Sequence, residues 1–266
     1  MKNKNFRIYF LCAILGCCMV WGQPSYNESV VADNHGGGEM PSSDKQAASP
    51  SLKTHSHVNL FMTGDVMTGR GIDQVLPYPS DPVIYEGYLK SARGYVQIAE
   101  QANGPIPRPV GYTYIWGDAL AELQRRQPDI RLINLETSVT ASNDYWKNKG
   151  INYRMHPQNV PILTRAGIDV CALANNHVLD WGYSGLLETL QTLKKANIIS
   201  VGAGRNLSEA SAPAVMEIPA KGRVLVFSFG IRSSGIPSSW AATADRPGVN
   251  FLKDLSINTV DHIAQT

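Results

Sequence analysis

The sequence predicts an α/β fold with a largely parallel but mixed sheet. Three observations lead there. From about Val58 onward, short β-rich apolar runs recur, each ending in polar residues or glycine. Stretches with helical periodicity lie between them, and parallel strands need such crossovers. One pair of β runs is joined too tightly for a helix and reads as a hairpin, so the sheet is mixed.

The segment before Val58 reads as unstructured or processed. "MKNKNFR" places three cations ahead of "IYFLCAILGCCMVW", an apolar run shorter than the roughly 20 residues that cross a bilayer. Residues 1–22 therefore look like an export signal. Cleavage after Gly22, lipid attachment at Cys17, in the lipobox-like "ILGC", and, third, an uncleaved anchor all remain open. In each case the protein is expected in the cell envelope, membrane-anchored or secreted. Residues 23–57, rich in Ser, Gly, Pro, Asn and Asp, bury too little apolar surface to offset ordering entropy and read as a flexible linker. Their His35, His55 and His57 read as solvated side chains.

The remainder, 58–266, reads as one domain. Strands are expected at "VNLFMT" (58–63), "IRLINL" (130–135), "IDVCALA" (168–174), "IISVGA" (198–203) and "RVLVFSFG" (223–230). Helices are expected at 117–127, 159–167 and 182–197. The last has Leu186, Leu187, Leu190 and Leu193 at helical spacing, with Lys194 and Lys195 in the final turn, where cations suit the helix dipole. "AVMEIPAKGRVLVFSF" (214–229) is the hairpin. The Tyr- and Pro-rich stretch 78–117 reads as an insertion that covers the sheet rim.

Composition is that of an ordinary globular protein, 43% hydrophobic and 17% charged over 266 residues. With 24 basic and 22 acidic residues the net charge is +2, so no global field draws it to nucleic acid, and partners must be sought in local sites. Three of the four cysteines, Cys12, Cys17 and Cys18, lie in the export segment. Cys171 is left alone in a strand, a core residue with no disulfide partner in the domain.

Open α/β sheets collect ligands at the carboxyl ends of their strands. There the sequence places Asp65, then Asn134, Glu136 and Thr137, then Asn175, Asn176, His177 and Asp180. Singly these have ordinary explanations, such as a helix cap, an Asx-turn or a loop histidine. Together they put carboxylates, amide oxygens and an imidazole at one rim, a donor set suited to Mn, Mg, Zn or Fe.

Four stretches, "TGDVMTGR" (63–70), "LINLETSVT" (132–140), "AGIDVCALANNHVLDWGYSGLLETL" (166–190) and "VGAGRNLSEASAPAV" (201–215), resemble the CapA family of bacterial capsule synthesis proteins, associated with poly-γ-glutamate. That family is related to the calcineurin-like metallophosphoesterases. The resemblance implies a mixed-sheet αββα sandwich with a divalent metal at the strand ends. By motif it makes Asp65, Glu136 and Asn176 metal ligands, His177 the proton donor to a leaving oxygen, and Asp180 the residue that orients its imidazole. Arg154 matches an arginine near the family's site and would contact an anionic substrate; a surface ion pair is the alternative. The partners implied are an anionic polymer or a phosphorylated substrate and a membrane-bound polymer synthesis complex.

Two departures bear on activity. Met67 stands where two-metal phosphoesterases carry the histidine of Asp-x-His, and Thr266 comes before any of the histidine motifs of the family's last third. The chain is therefore expected to lack that third and to be a poor catalyst by itself. Three classes stay open: a capsule polymer synthesis or export protein without catalysis, a metal-dependent hydrolase of a phosphate ester or polymer linkage, and a non-functional truncated remnant.

Overall fold

The computed structural model describes residues 8–13 and 57–265. The expected linker up to Ser56, and the expected export signal apart from 8–13, fall outside the described residues. Ile8–Ala13, inside that signal, is a strand, β1.

The domain proper opens with β2 (Leu60–Val66), after which Gly69 leads into the short helix α1 (Arg70–Val75). The 78–117 insertion contains α2 (Arg93–Asn103), which packs on α1 and buries Val96. Then come α3 (Ala119–Arg126), β3 (Ile130–Leu135), the two-residue strands β4 (Ser138–Val139) and β5 (Arg154–Met155), and α4 (Pro161–Arg165), whose first residue is a proline. Proline suits that place because the first helical amide has no partner within the helix. β6 (Val170–Ala172) and α5 (Gly182–Lys195) follow, then β7 (Ile199–Val201), β8 (Ala203–Gly204) and α6 (Leu207–Ser211), capped by the Asn206 side chain, which accepts from the Glu209 amide. The expected hairpin is β9 (Ala214–Ile218) and β10 (Gly222–Ile231), and β11 (Gly248–Val249), β12 (Phe251–Leu252) and α7 (Ile257–Gln265) end the chain.

The strands make the expected α/β architecture. One sheet is wholly parallel, in the order β2-β3-β6-β7. In the other, β10 pairs antiparallel with β9 and parallel with β1 and β12. Alternation along the strands sends residues to two sides. Ile130, Leu132, Val170, Ala172 and Val201 of the first sheet meet Ala214, Val224 and Val226 of the second, so the sheets pack face to face. Ile133, Leu135, Cys171 and Leu173 point the other way and are covered by Ile162 and Leu163 of α4 and Leu186 and Leu193 of α5. Burying each such leucine contributes roughly 1.5–3 kcal/mol. Cys171 is wholly buried, and burial pushes its thiol pKa far above the usual range, which makes it an inert core residue.

One side-chain expectation changes. Leu187 sits on the outer face of α5, 40% exposed, because Gly185 and Thr189 take the inner positions. On α7, Ile257 and Val260 stay exposed; the His262 side chain is outside the described residues. Among the described residues no helix is long and apolar enough to cross a membrane.

A candidate metal and proton-transfer site

A break in strand pairing sets up the site. β2 runs beside β3 in register until Thr63 opposite Ile133, and then the next partner of Asn134 is Asp65, so Gly64 is the extra residue of a bulge. The bulge reverses which side each following residue faces. Phe61 and Val66, an odd number of positions apart, consequently pack into the same cluster. Asp65 is thereby turned to meet Asn134, whose Nδ2 donates to Asp65 Oδ1 at 2.6 Å. Asn134 is itself held: its Oδ1 accepts from Asn175 Nδ2, which also donates to the Leu135 carbonyl.

The glycines on either side of Asp65 play different parts. A Cβ at Gly64 would have nothing within 4 Å, whereas one at Gly69 would come 2.9 Å from the Arg154 carbonyl. Gly69 lets the β5 backbone pass, and Gly64 makes the bulge.

The loop after β6 supplies the second half. Asn175 closes an Asx-turn by accepting from the His177 amide at 3.0 Å, and this places the imidazole. His177 Nδ1 lies 2.6 Å from Oδ2 of Asp180, a wholly buried carboxylate three residues on. Asp180 is fixed in turn by the Tyr153 amide at the same oxygen and by the Lys149 ammonium 2.8 Å from Oδ1. The Tyr153 ring stacks on the imidazole with centroids 3.9 Å apart. With Nδ1 committed, Nε2 faces Glu136, 3.7 Å from its Oε1.

Glu136 is electrostatically unusual. Burial, first, and then the Asp65 carboxylate, by its charge and a shared hydrogen bond, push its pKa up to about 7, against a smaller opposing pull from Lys149. Two carboxylates are held close enough that one keeps a proton near neutrality. A divalent cation would replace that proton, so the pair fits a hard ion at two points. Among the described residues no three His, Cys, Asp or Glu side chains gather closely enough to hold an ion by themselves. The Asn176 side chain lies beside the turn at Gly235, where a Cβ would come 3.3 Å from its amide nitrogen. Asp65, Glu136, His177 and Asp180 are thus linked by contact; Asn176 adjoins them through the backbone.

The family described as "Bacterial capsule synthesis protein PGA_cap" matches residues 59–266. The chain belongs to this family. A probable polyglutamine synthesis accessory protein of Mycobacterium tuberculosis is 50% identical over 197 residues, covering 74% of this chain and 52% of that protein. The PGA biosynthesis protein CapA of Bacillus subtilis is 27% identical over 168 residues, covering 62% of this chain and 36% of that protein. The capsule biosynthesis protein CapA of Bacillus anthracis is 23% identical over 159 residues, covering 59% and 31%. The chain spans about half the length of the Mycobacterium relative and about a third of the Bacillus ones.

In this PGA_cap chain Arg154 has neither role expected of it. Its guanidinium is buried against the Trp181 ring, 3.8 Å from the centroid, and donates to the carbonyls of Ser142 and Asp81 and to Asn143 Oδ1. It ties three loops together and has little left for a ligand. The sequence reading missed Lys149, in "WKNKGI", because nothing in its spacing separates it from a surface lysine. It also passed over Arg70, although the motif "TGDVMTGR" ends on it.

Proposed function

We propose that this chain serves the synthesis or export of a poly-γ-glutamate-type capsule polymer in the cell envelope. In this reading its site is a metal-dependent hydrolytic centre acting on a phosphate ester or a polymer linkage. Family membership and the names of the relatives support the process. The chemistry rests on one observation: an imidazole whose Nδ1 is held at 2.6 Å by a buried carboxylate, with Nε2 3.7 Å from Glu136, the carboxylate that Asp65 crowds.

Asp65 and Glu136 would hold the divalent ion, Mn, Mg, Zn or Fe, and Asn176 is the neighbour that would complete its oxygen ligands. Bound there, the ion supplies a hydroxide nucleophile and neutralises oxyanion charge. His177 carries the proton at Nε2 and delivers it to the leaving oxygen. Asp180 fixes the imidazole orientation. Lys149, 2.8 Å from Asp180 Oδ1 and 3.1 Å from His177 Nδ1, holds the other side of that pair in place.

The full chain, assayed on a generic phosphodiester with added Mn, is expected to turn over only slowly, as its incomplete donor set implies, and His177→Ala to lose about 100-fold or more of that rate. Turnover equal in His177→Ala and the parent would refute the hydrolytic reading. The sparse donor set supports a second reading, a non-catalytic member of a membrane-bound polymer synthesis complex. It predicts that cells carrying His177→Ala still make polymer.

A further inference from the structure

Arg70 has a backbone and a side chain that the preceding chemistry leaves unexplained. It is a non-glycine residue at φ +50°, a strained left-handed conformation that persists only where the surroundings impose it. They do so here from several sides. Nε donates to Glu86 Oε1 at 2.7 Å, and Glu86 is only 1% exposed. The Tyr95 hydroxyl donates to the other Glu86 oxygen, so that carboxylate is saturated on both sides. The guanidinium carbon lies 4.7 Å from the centroids of both the Tyr95 and the Tyr153 rings. This group is clamped by a buried carboxylate and two aromatic rings.

The clamp leaves the useful end uncommitted. Only Nε is hydrogen-bonded; among the described residues neither Nη1 nor Nη2 has an acceptor. The side chain is 16% exposed and neither Nη is buried away from solvent, so these four N–H groups open outward where a ligand can reach them. Its position is equally specific: the Tyr153 ring that flanks it also stacks on His177. Arg70 therefore sits one ring away from the imidazole that faces Glu136, while Arg154, the cation expected to meet the substrate, is bonded to loop oxygens.

We propose that Arg70 is the oxyanion-binding residue of this site, taking a carboxylate or phosphate group of the ligand through Nη1 and Nη2, with Glu86, Tyr95 and Tyr153 as its positioning residues. A planar fork with two free nitrogens matches either oxyanion bidentately, and a lysine would not. The proposal rests on the reading of the neighbouring residues as a substrate site, but it requires no metal.

The test uses the full chain freed of metal with chelator and titrated calorimetrically with inorganic phosphate and, separately, with a γ-linked glutamate hexamer. The parent is expected to bind at least one probe. Binding of phosphate alone would identify a phosphoryl group as the ligand, and binding of the hexamer alone a carboxylate. Arg70→Gln should weaken binding at least about tenfold and flatten its dependence on salt, and Arg70→Lys, which keeps a cation beside Glu86, should weaken it about threefold or more. No binding of either probe by the parent, or affinities of Arg70→Lys and any folded Arg70→Gln within about twofold of it, would overturn the proposal. Manganese binding measured in parallel separates the two readings. Anion binding through Arg70 in a chain that takes up no metal would refute the metal site and leave this proposal standing.

Discussion

At the scale of single residues, Glu136 makes the clearest demand, because its environment works against its own ionisation. A carboxyl with an unfolded value near 4.5 and a folded value of about 7 binds more protons in the folded chain across that interval. Stability therefore falls as pH rises from about 4.5 to about 7, and the penalty is present in full above it. Allowing for partial solvent screening, the penalty is on the order of 1–3 kcal/mol. Glu136→Gln should accordingly raise the metal-free denaturation midpoint at pH 8 and leave it nearly unchanged at pH 4, while weakening manganese binding. A variant no more stable than the parent at pH 8 would mean that Asp65 and Glu136 do not crowd one another. In the parent, manganese affinity should climb through pH 7 as the competing proton leaves. This residue's type and place at the strand end were legible in "LINLETSVT"; its perturbation was not, because it depends first on burial and then on how near Asp65 comes, and the fold and its bulge decide both.

At the scale of elements, the sequence pattern located the strands well where an apolar run was long and its ends were marked. Ile130–Leu135 has the expected limits, and the 214–229 hairpin formed around its tight connection. It was less informative where backbone geometry, not side-chain pattern, sets the boundary. The run read as one strand at 198–203 divides at Gly202, which has φ +86° and separates β7 from β8. A Cβ there would meet Ser228 Cβ at 2.6 Å and Ala174 Cβ at 2.8 Å, so the glycine lets β10 approach the end of β6. Gly202→Ala should therefore destabilise the fold by roughly 2–4 kcal/mol, combining a strained φ with overpacking. Gly64→Ala, which meets nothing, should shift stability by only about 0.5 kcal/mol. Denaturant midpoints of the two variants test this, and equal effects would contradict it. Arg154 shows the same limit: its motif gave its neighbourhood, and only the fold revealed that Trp181 and loop oxygens occupy it.

At the scale of the whole molecule, the export reading and the second sheet make opposing claims on one segment. Ile8–Ala13 lies in the apolar run read as an export signal, yet it pairs with β10 from Val224 to Phe229. A segment that a signal peptidase removes cannot remain a strand, and both processing routes, cleavage after Gly22 and lipidation at Cys17, discard residues 8–13. The exported form would then leave the β1-facing edge of that stretch unpaired, with Val224, Leu225 and Val226 still paired to β9, and a bare strand edge is a place where another chain can add. Mass spectrometry of the envelope fraction should find a start at Gln23 or a lipidated Cys17, and an intact Met1 in a soluble cytoplasmic pool would refute export. Hydrogen exchange then reads the consequence for the sheet. In the unprocessed chain, alternate amides between Val224 and Phe229 should be protected by β1, whereas in a chain beginning at Gln23 they should exchange markedly faster while those of β3 stay slow. Equal protection in the two forms would show that β1 contributes nothing to holding β10. The parallel sheet that carries Asp65, Glu136 and His177 would then fold independently of how the N-terminus is processed.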